Sequence, residues 1–483
     1  MRNKVEIKNL SKMVSTVKIW KVVIIMSWFN QAKAEKENFI KDLQQFLQIP
    51  SVLDEASAKP GAPFGDDIRQ ALEYMLNLGK REGFITKNIE GYAGHLEWGT
   101  GEELIGILCH VDVVPEGDHW DMSPYAAEVR DGRIYARGAQ DDKGPTMAAF
   151  YALKILKDSG IPFMRRVRII FGTDEESEWR CVNRYFKTEE MPMLGFAPDA
   201  SFPMIYAEKG ISDAIFTGKA DTSGTLLFFA GGNRLNMVPD KAYCILCAKQ
   251  FQRDEMWFTQ ICAQYHVQGH FETDGKEVKL SLKGVSTHGS EPQRGKNAVT
   301  TLAHILHTEI SDAGLDFLAR LHEDFYGEKN GFVLKDTVSG ALTLNVGKAI
   351  LQEGVWEIGA NIRYPVTVSF DKVQQAMENL GTTAFRLLSI SNMEPLYIPA
   401  DHPLVTTLLQ AYEAETGRKD PLGTTGGGTY ARALKTGVAF GALFPDEEEL
   451  YHQRNESASI DGLIRAIAIY ARAIYALACK KND

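Results

Sequence analysis

Apolar positions along the chain fall into two rhythms. Over residues 34–47, Phe39, Leu43, Phe46 and Leu47 recur at helical spacing, and over 66–80 Ile68, Leu72, Met75 and Leu76 repeat the pattern. A stripe of this period is one face of an amphipathic helix. Short apolar runs follow at 104–108, 167–171 and 194–197, and their brevity predicts buried strands. Residues 145–157 read as a helix between the first two runs, with Pro145 where a first turn tolerates it. Strands alternating with helices predict an α/β domain whose mainly parallel sheet is flanked by helices.

The rhythm changes after Gly210. Residues 226–230, 242–248, 278–282 and 343–346 read as strands, and 298–310 and 370–379 as helices. This block, 209–397, is expected to be an inserted α+β lid domain. Residues 402–416 and 460–477 return to amphipathic helices, so 27–208 and 398–483 are expected to form the first, catalytic domain. A length of 483 residues supports two domains, because single cores stop growing at about 250–300 residues. Residues 1–26 form a basic extension (Arg2, Lys4, Lys8, Lys12, Lys18 and Lys21 against Glu6) ending in a short apolar run that is too short for a signal-peptide core, and Met26 is a candidate start. No stretch approaches the ~20 apolar residues that span a bilayer.

Charge narrows the partners. With 53 basic and 63 acidic residues the net charge is -10, which argues against nucleic acid and anionic membrane surfaces and favours a small molecule. Six cysteines, Cys109, Cys181, Cys244, Cys247, Cys262 and Cys479, lack the spacing of a disulfide framework, so a reducing, cytoplasmic setting is expected. Cys244 and Cys247 would need a second such pair to make a zinc ribbon, and 238–247 alternates like a strand.

Candidate chemistry gathers where the strand runs end. His110 and Asp112 follow 104–108 at alternate positions, which puts both side chains on one face. Asp112 is placed to orient a metal-bound imidazole. Asp141 and Asp142 open the 145–157 helix; a helix start with a neighbouring cation explains them as well as a shared metal does. Asp174, Glu175 and Glu176 follow 167–171, and three adjacent acids are either solvated or neutralised by cations. In the second case Glu176 binds metal and Glu175 is the general base. Asp199 follows another strand, and His452 lies in the loop before the last helix. Five ligands, His110, Asp141, Glu176, Asp199 and His452, make a complete two-metal set with one bridging carboxylate, and mixed imidazole and carboxylate ligation suits zinc, with manganese or cobalt as substitutes.

The ordered motifs His-x-Asp-Val-Val-Pro, Gly-x-x-Asp-Asp-Lys-Gly-Pro, Thr-Asp-Glu-Glu-Ser, Phe-x-Pro-Asp and His-x-x-Asn-Glu resemble the dinuclear zinc hydrolases that include aminoacylase, carboxypeptidase G, succinyl-diaminopimelate desuccinylase and carnosinase. The nearest resemblance is to the bacterial V-type (PepV-like) dipeptidases and covers residues 39–477. It implies that Asp141 bridges two zinc ions, that His110 and Asp199 hold one and Glu176 and His452 the other, and that Glu175 is the base. It implies a cis peptide between Asp141 and Asp142. It also implies a lid histidine, His288, for the oxyanion, a substrate-contacting Asn236, an Arg363 clamp for the substrate carboxylate, and a loop of backbone amides at Gly426 and Gly427. Glu178 and Trp179 stand where most of the wider family has glycine.

The expected activity is hydrolysis of dipeptides with a free amino terminus by a water held between two metal ions, in a monomer or homodimer. An N-acyl amino acid deacylase or carboxypeptidase of the same family is the alternative in chemistry. An inactive peptide-binding protein is the alternative in class.

Overall fold

The structure, a computed structural model, describes residues 27–221 and 224–479, so the basic extension lies outside the described residues. The described residues divide into two compact units: one built from 27–206, Ile398–Gly423 and 429–479, the other from those of Ala207–Tyr397 with Thr424–Gly428.

In the first unit the expected helical stripes are the buried faces. Lys36–Leu47 buries Phe39, Leu43, Phe46 and Leu47. Asp66–Arg81 buries Ile68, Leu72, Met75 and Leu76, with two aspartates in its first turn and Lys80 and Arg81 in its last, the polarity that suits the helix dipole. A further helix, Trp28–Ala34, precedes them, its Asn30 N–H donating to the Ser27 hydroxyl.

The sheet of this unit runs in the order Ile85–Ile89, Ala93–Trp98, Arg166–Gly172, Leu104–His110, Leu194–Ala197, Gly437–Ala439. The α/β class is as expected, but the sheet is mixed rather than mainly parallel: pairing is parallel only among the central strands and antiparallel at the Ile85–Ile89 flank. His110 pairs with Gly172 at the strand ends, and Ile107 with Phe196. The carboxyl ends of three neighbouring strands therefore lie along one edge, where α/β sheets place their ligands. Lys143–Asp158 packs against Ile460–Ile474, and both helices are apolar on nearly every side.

The last helix corrects one expectation. Ile460–Cys479 is 20 residues long and apolar enough, by length and composition, to cross a membrane. Its interruption by Asp461, Arg465 and Arg472 hides this in a simple scan of the sequence. Most of it is buried inside the protein, and a helix apolar all round is what a core position demands.

The second unit is an eight-stranded sheet in the order Gln268–Thr273, Glu277–Lys283, Lys241–Cys247, Leu226–Gly231, Thr343–Gln352, Val355–Tyr364, Gly210–Lys219, Phe385–Ile390, antiparallel at every pairing. Its core includes Phe229, Leu280, Leu302, Leu318, Trp356 and Met377, contributed by the sheet and by helices Ala298–Leu306, Ala313–Arg320 and Phe370–Leu380. Cys244 is buried within strand Lys241–Cys247, whose other residues alternate exposed and buried.

Candidate metal centre

His110 is the last residue of its strand and is fully buried. Its Nε2 lies 2.9 Å from Asp141 Oδ1 and 4.0 Å from Asp199 Oδ1. His452 Nε2 lies 3.1 Å from the other Asp141 oxygen, Oδ2, and 3.1 Å from Glu176 Oε1. The two imidazoles, 342 positions apart in sequence, thus meet the two oxygens of one carboxylate. Donor atoms of His110, Asp141 and Asp199, and of Asp141, Glu176 and His452, form two groups whose members lie within 4.8 Å of one another. Asp141 belongs to both.

Asp112 joins two of the motifs. The His110 Nδ1 lies 3.0 Å from the Asp112 backbone carbonyl and 3.5 Å from its carboxylate, so the main chain of this residue contributes to orienting the ring as well as its side chain. The remaining carboxylate oxygen, Oδ2, accepts the Glu176 backbone N–H at 3.0 Å. Gly172 ends the neighbouring strand where a Cβ would collide with the Tyr430 hydroxyl. The Tyr430 ring stands perpendicular to His110 at 6.0 Å and meets Trp179 at 5.5 Å.

The ordinary explanations of the acidic clusters fail for the residues that face this centre. Lys143, the cation beside Asp141 and Asp142, is buried and donates to the carbonyls of Ile49 (2.6 Å) and Phe46 (3.3 Å). Burial pushes its pKa down to about 7. Asp142, joined to Asp141 by a cis peptide, accepts the His110 N–H (3.2 Å) and the Thr146 hydroxyl (2.9 Å). Asp174 is gripped by Arg180 through two 2.9 Å bonds. Among the described residues no lysine or arginine pairs with Asp141, Glu175, Glu176 or Asp199.

The charge shows in the titration. Burial and the Asp141 charge raise Asp199 to about 8, and burial, then Asp141, raises Glu176. Glu175 is half-buried and, among the described residues, its carboxylate has no hydrogen bond or ion pair; burial, then the Asp199 charge, pushes it well above the usual carboxylate range. For Asp141 burial acts upward, but bonds to His110 and His452 outweigh it and hold it below its ordinary value. Bonds to Asp141 and then Glu176 raise His452 to about 11. His110 is likewise raised, its bonds to Asp112 and Asp141 overcoming burial. Buried negative charge of this density requires cations, and imidazole with carboxylate oxygens is a donor set that zinc and its first-row neighbours accept. The residues fit a pair of divalent ions, which would displace the imidazole protons.

Glu456 was legible only as the end of a motif. It is fully buried, and its Oε1 accepts the N–H groups of Gln140 (2.8 Å) and Asp141 (3.2 Å). Its Oε2 accepts Arg137 (2.7 Å) and the Gly138 N–H (3.1 Å).

The remaining sequence candidates gather in the second unit. Arg363, near the end of Val355–Tyr364, is buried and donates to Asn361 Oδ1 (2.8 Å) and the Gly426 carbonyl (3.0 Å). A Cβ on Gly426 would lie 2.9 Å from that of Ser290, and Gly427 donates its N–H to Thr425 Oγ1 (2.9 Å). His288 Nδ1 lies 3.2 Å from the Ser290 backbone nitrogen and 2.6 Å from its hydroxyl. The Asn236 carbonyl accepts the Gly289 N–H at 2.7 Å. Burial, then the Arg363 charge, lowers the His288 pKa. Asn236, His288, Arg363, Gly426 and Gly427 are therefore one neighbourhood.

An α/β unit with a carboxylate shared by two imidazoles at its sheet edge, interrupted by an antiparallel unit, defines a class of two-unit metal-dependent hydrolase. Residues 106–476 match the sequence profile of Peptidase family M20/M25/M40, and the chain belongs to that family. It is 48% identical over 464 residues to a Bacillus subtilis protein named "Putative dipeptidase YtjP", covering 94% of this chain and all of that one. It is 42% identical over 464 residues to a Staphylococcus epidermidis protein with the printed name "Putative dipeptidase", covering 93% and 99%. In fold it is similar to human carnosine dipeptidase 1 (TM-score 0.53, 15% identity, 93% of this chain and 99% of that one). It is also similar to the aminoacylhistidine dipeptidase of Vibrio alginolyticus (TM-score 0.55, 13% identity, 91% and 97%).

Proposed function

We propose that this chain is a metal-dependent dipeptidase that hydrolyses dipeptides carrying a free amino terminus. One observation carries the reading: both oxygens of Asp141 are engaged, each by the imidazole of a different donor group. The dipeptidase names of relatives that align along nearly the whole chain support the substrate class. His110 and Asp199 would hold one ion, Glu176 and His452 the other, and Asp141 both. Zinc suits these donors, with manganese or cobalt as substitutes.

Bound there, the ions would supply a nucleophile from water at neutral pH and polarise the scissile carbonyl. The protein does the rest. Glu175, free of hydrogen-bond partners, takes the water proton and returns it to the leaving amine. Asp112 fixes the His110 ring. In the inserted unit, the lid of this reading, His288 offers its Nε2–H to the oxyanion. Arg363 grips the substrate carboxylate with a planar fork suited to two parallel bonds; Gly426 and Gly427 add backbone amides, and Asn236 a side-chain amide. The enzyme works in the cytoplasm as a monomer or homodimer, on small peptides alone.

Metal analysis of the purified protein, with a panel of Leu-Gly, β-Ala-His and an N-acetyl amino acid, tests the reading. Two divalent ions per chain and cleavage confined to the dipeptides are expected. Preference for the N-acetyl substrate would convert the assignment to a deacylase, and metal-free protein that still cleaves would end it.

A further inference from the structure

The candidate ligands Asp141 and His452 come from two loops more than 300 residues apart in sequence, and nothing in either loop alone fixes their separation. The turn 137–141 and the loop 448–456 are instead stitched at two places. At the buried end stands Glu456, whose two oxygens take four donors from the turn: Gln140 N–H, Asp141 N–H, Gly138 N–H and the Arg137 guanidinium. Arg137 is itself buried and extends the tie, donating to the carbonyls of Gln453 (3.2 Å) and Glu116 (3.1 Å). At the outer end the Gln140 side chain accepts the Leu450 N–H (2.8 Å) and donates to the Glu448 carbonyl (3.0 Å). His452 sits between the two stitches.

Four donors converging on one buried carboxylate exceed what a helix cap or a surface ion pair requires. Burial is costly for a carboxylate unless its lone pairs are used, and here the compensation comes from the turn that ends at Asp141. The carboxylate reaches no candidate ligand side chain. It acts on them through the backbone, by holding the peptide before Asp141 at a set distance from the loop that presents His452.

We propose that Glu456 is a positioning residue, the clamp that holds Asp141 and His452 at the spacing needed to share an ion with Glu176. The other group, His110 with Asp141 and Asp199, depends on it less, because His110 and Asp199 follow directly from paired strands of the sheet. Loosening the clamp should therefore empty one metal position before the other. This rests on the two-metal reading above.

The test is metal stoichiometry and affinity of the full chain by equilibrium dialysis with zinc alone, alongside steady-state kinetics. Glu456→Gln keeps the shape but presents an NH2 where two donors now point. It is expected to retain one tightly held ion and to bind the second roughly 10–100-fold more weakly, the usual effect of losing a group that orients ligands. kcat should fall at limiting zinc and recover at high zinc, with KM unchanged; a change confined to folding would give no such recovery. Gln140→Ala cuts only the outer stitch, is expected to fold normally, and should shift the second affinity in the same direction by a smaller factor. Two equally tight ions in both variants would overturn the clamp while leaving the two-metal reading intact. A wild-type protein that binds no second ion would overturn that reading itself.

Discussion

The two neighbourhoods that sequence motifs single out are built on opposite principles. In the first unit His110, Asp112, Asp142 and Glu456 are all buried, each tied to backbone or to another motif, and among the described residues no lysine or arginine pairs with Asp141, Glu175, Glu176 or Asp199 beside them. In the second unit Asn236 and His288 are exposed, backbone bonds hold them, and Arg363 already has partners in Asn361 and Gly426. One region keeps a strong charge in a fixed place. The other, in the function proposed above, meets a substrate that comes and goes.

That contrast can be broken by experiment. Chelation should act on the first region alone, abolishing activity and lowering Tm. An ion held at a hundred times its Kd contributes about 2.7 kcal/mol of stability, so unchanged Tm on chelation would contradict the charge argument. Next comes Glu175→Ala, where loss of a general base should cost about 10²–10⁴ in kcat with two ions still bound; near-normal turnover would remove Glu175 from the reaction. His288→Ala is expected to lower kcat by roughly 10²–10³, as loss of an oxyanion donor does, while Tm moves little because the residue is exposed. Arg363→Ala removes a charged contact worth roughly 2–5 kcal/mol, and kcat/KM should fall for free dipeptides but hardly for their C-terminal amides. Equal loss on both would relocate its role. The smallest effect expected is on stability: Gly172→Ala must push the Tyr430 hydroxyl aside, at a cost of about 1–3 kcal/mol by overpacking, measured by urea unfolding.

What could be read from the sequence differs between the regions for a physical reason. His110, Glu176 and Asp199 follow strand runs, and strand ends at one sheet edge converge whatever the connections do, so their meeting was legible. The helices at Lys36–Leu47 and Asp66–Arg81 were legible through their buried stripes. Ile85–Ile89 was not: it is an edge strand with one buried residue, so no alternation marks it. The Arg363 strand, Val355–Tyr364, is buried almost throughout and has no polar rhythm either. Lys143 beside two aspartates invited a charge pairing, yet its amine turns to the Phe46 and Ile49 carbonyls. Glu456 escaped because its meaning lies in four donors contributed by a turn far away in sequence. Trp179, where the resemblance implies glycine, takes a left-handed conformation (φ 57°) and packs on Tyr430.

The order of the segments has a consequence for synthesis. Four of the five candidate ligands leave the ribosome by Asp199, but His452 emerges roughly 250 residues later, on the order of ten to fifty seconds at 5–20 residues per second. A nascent chain therefore carries an incomplete donor set for most of its translation, and hydrolytic competence arrives only with the closing segment.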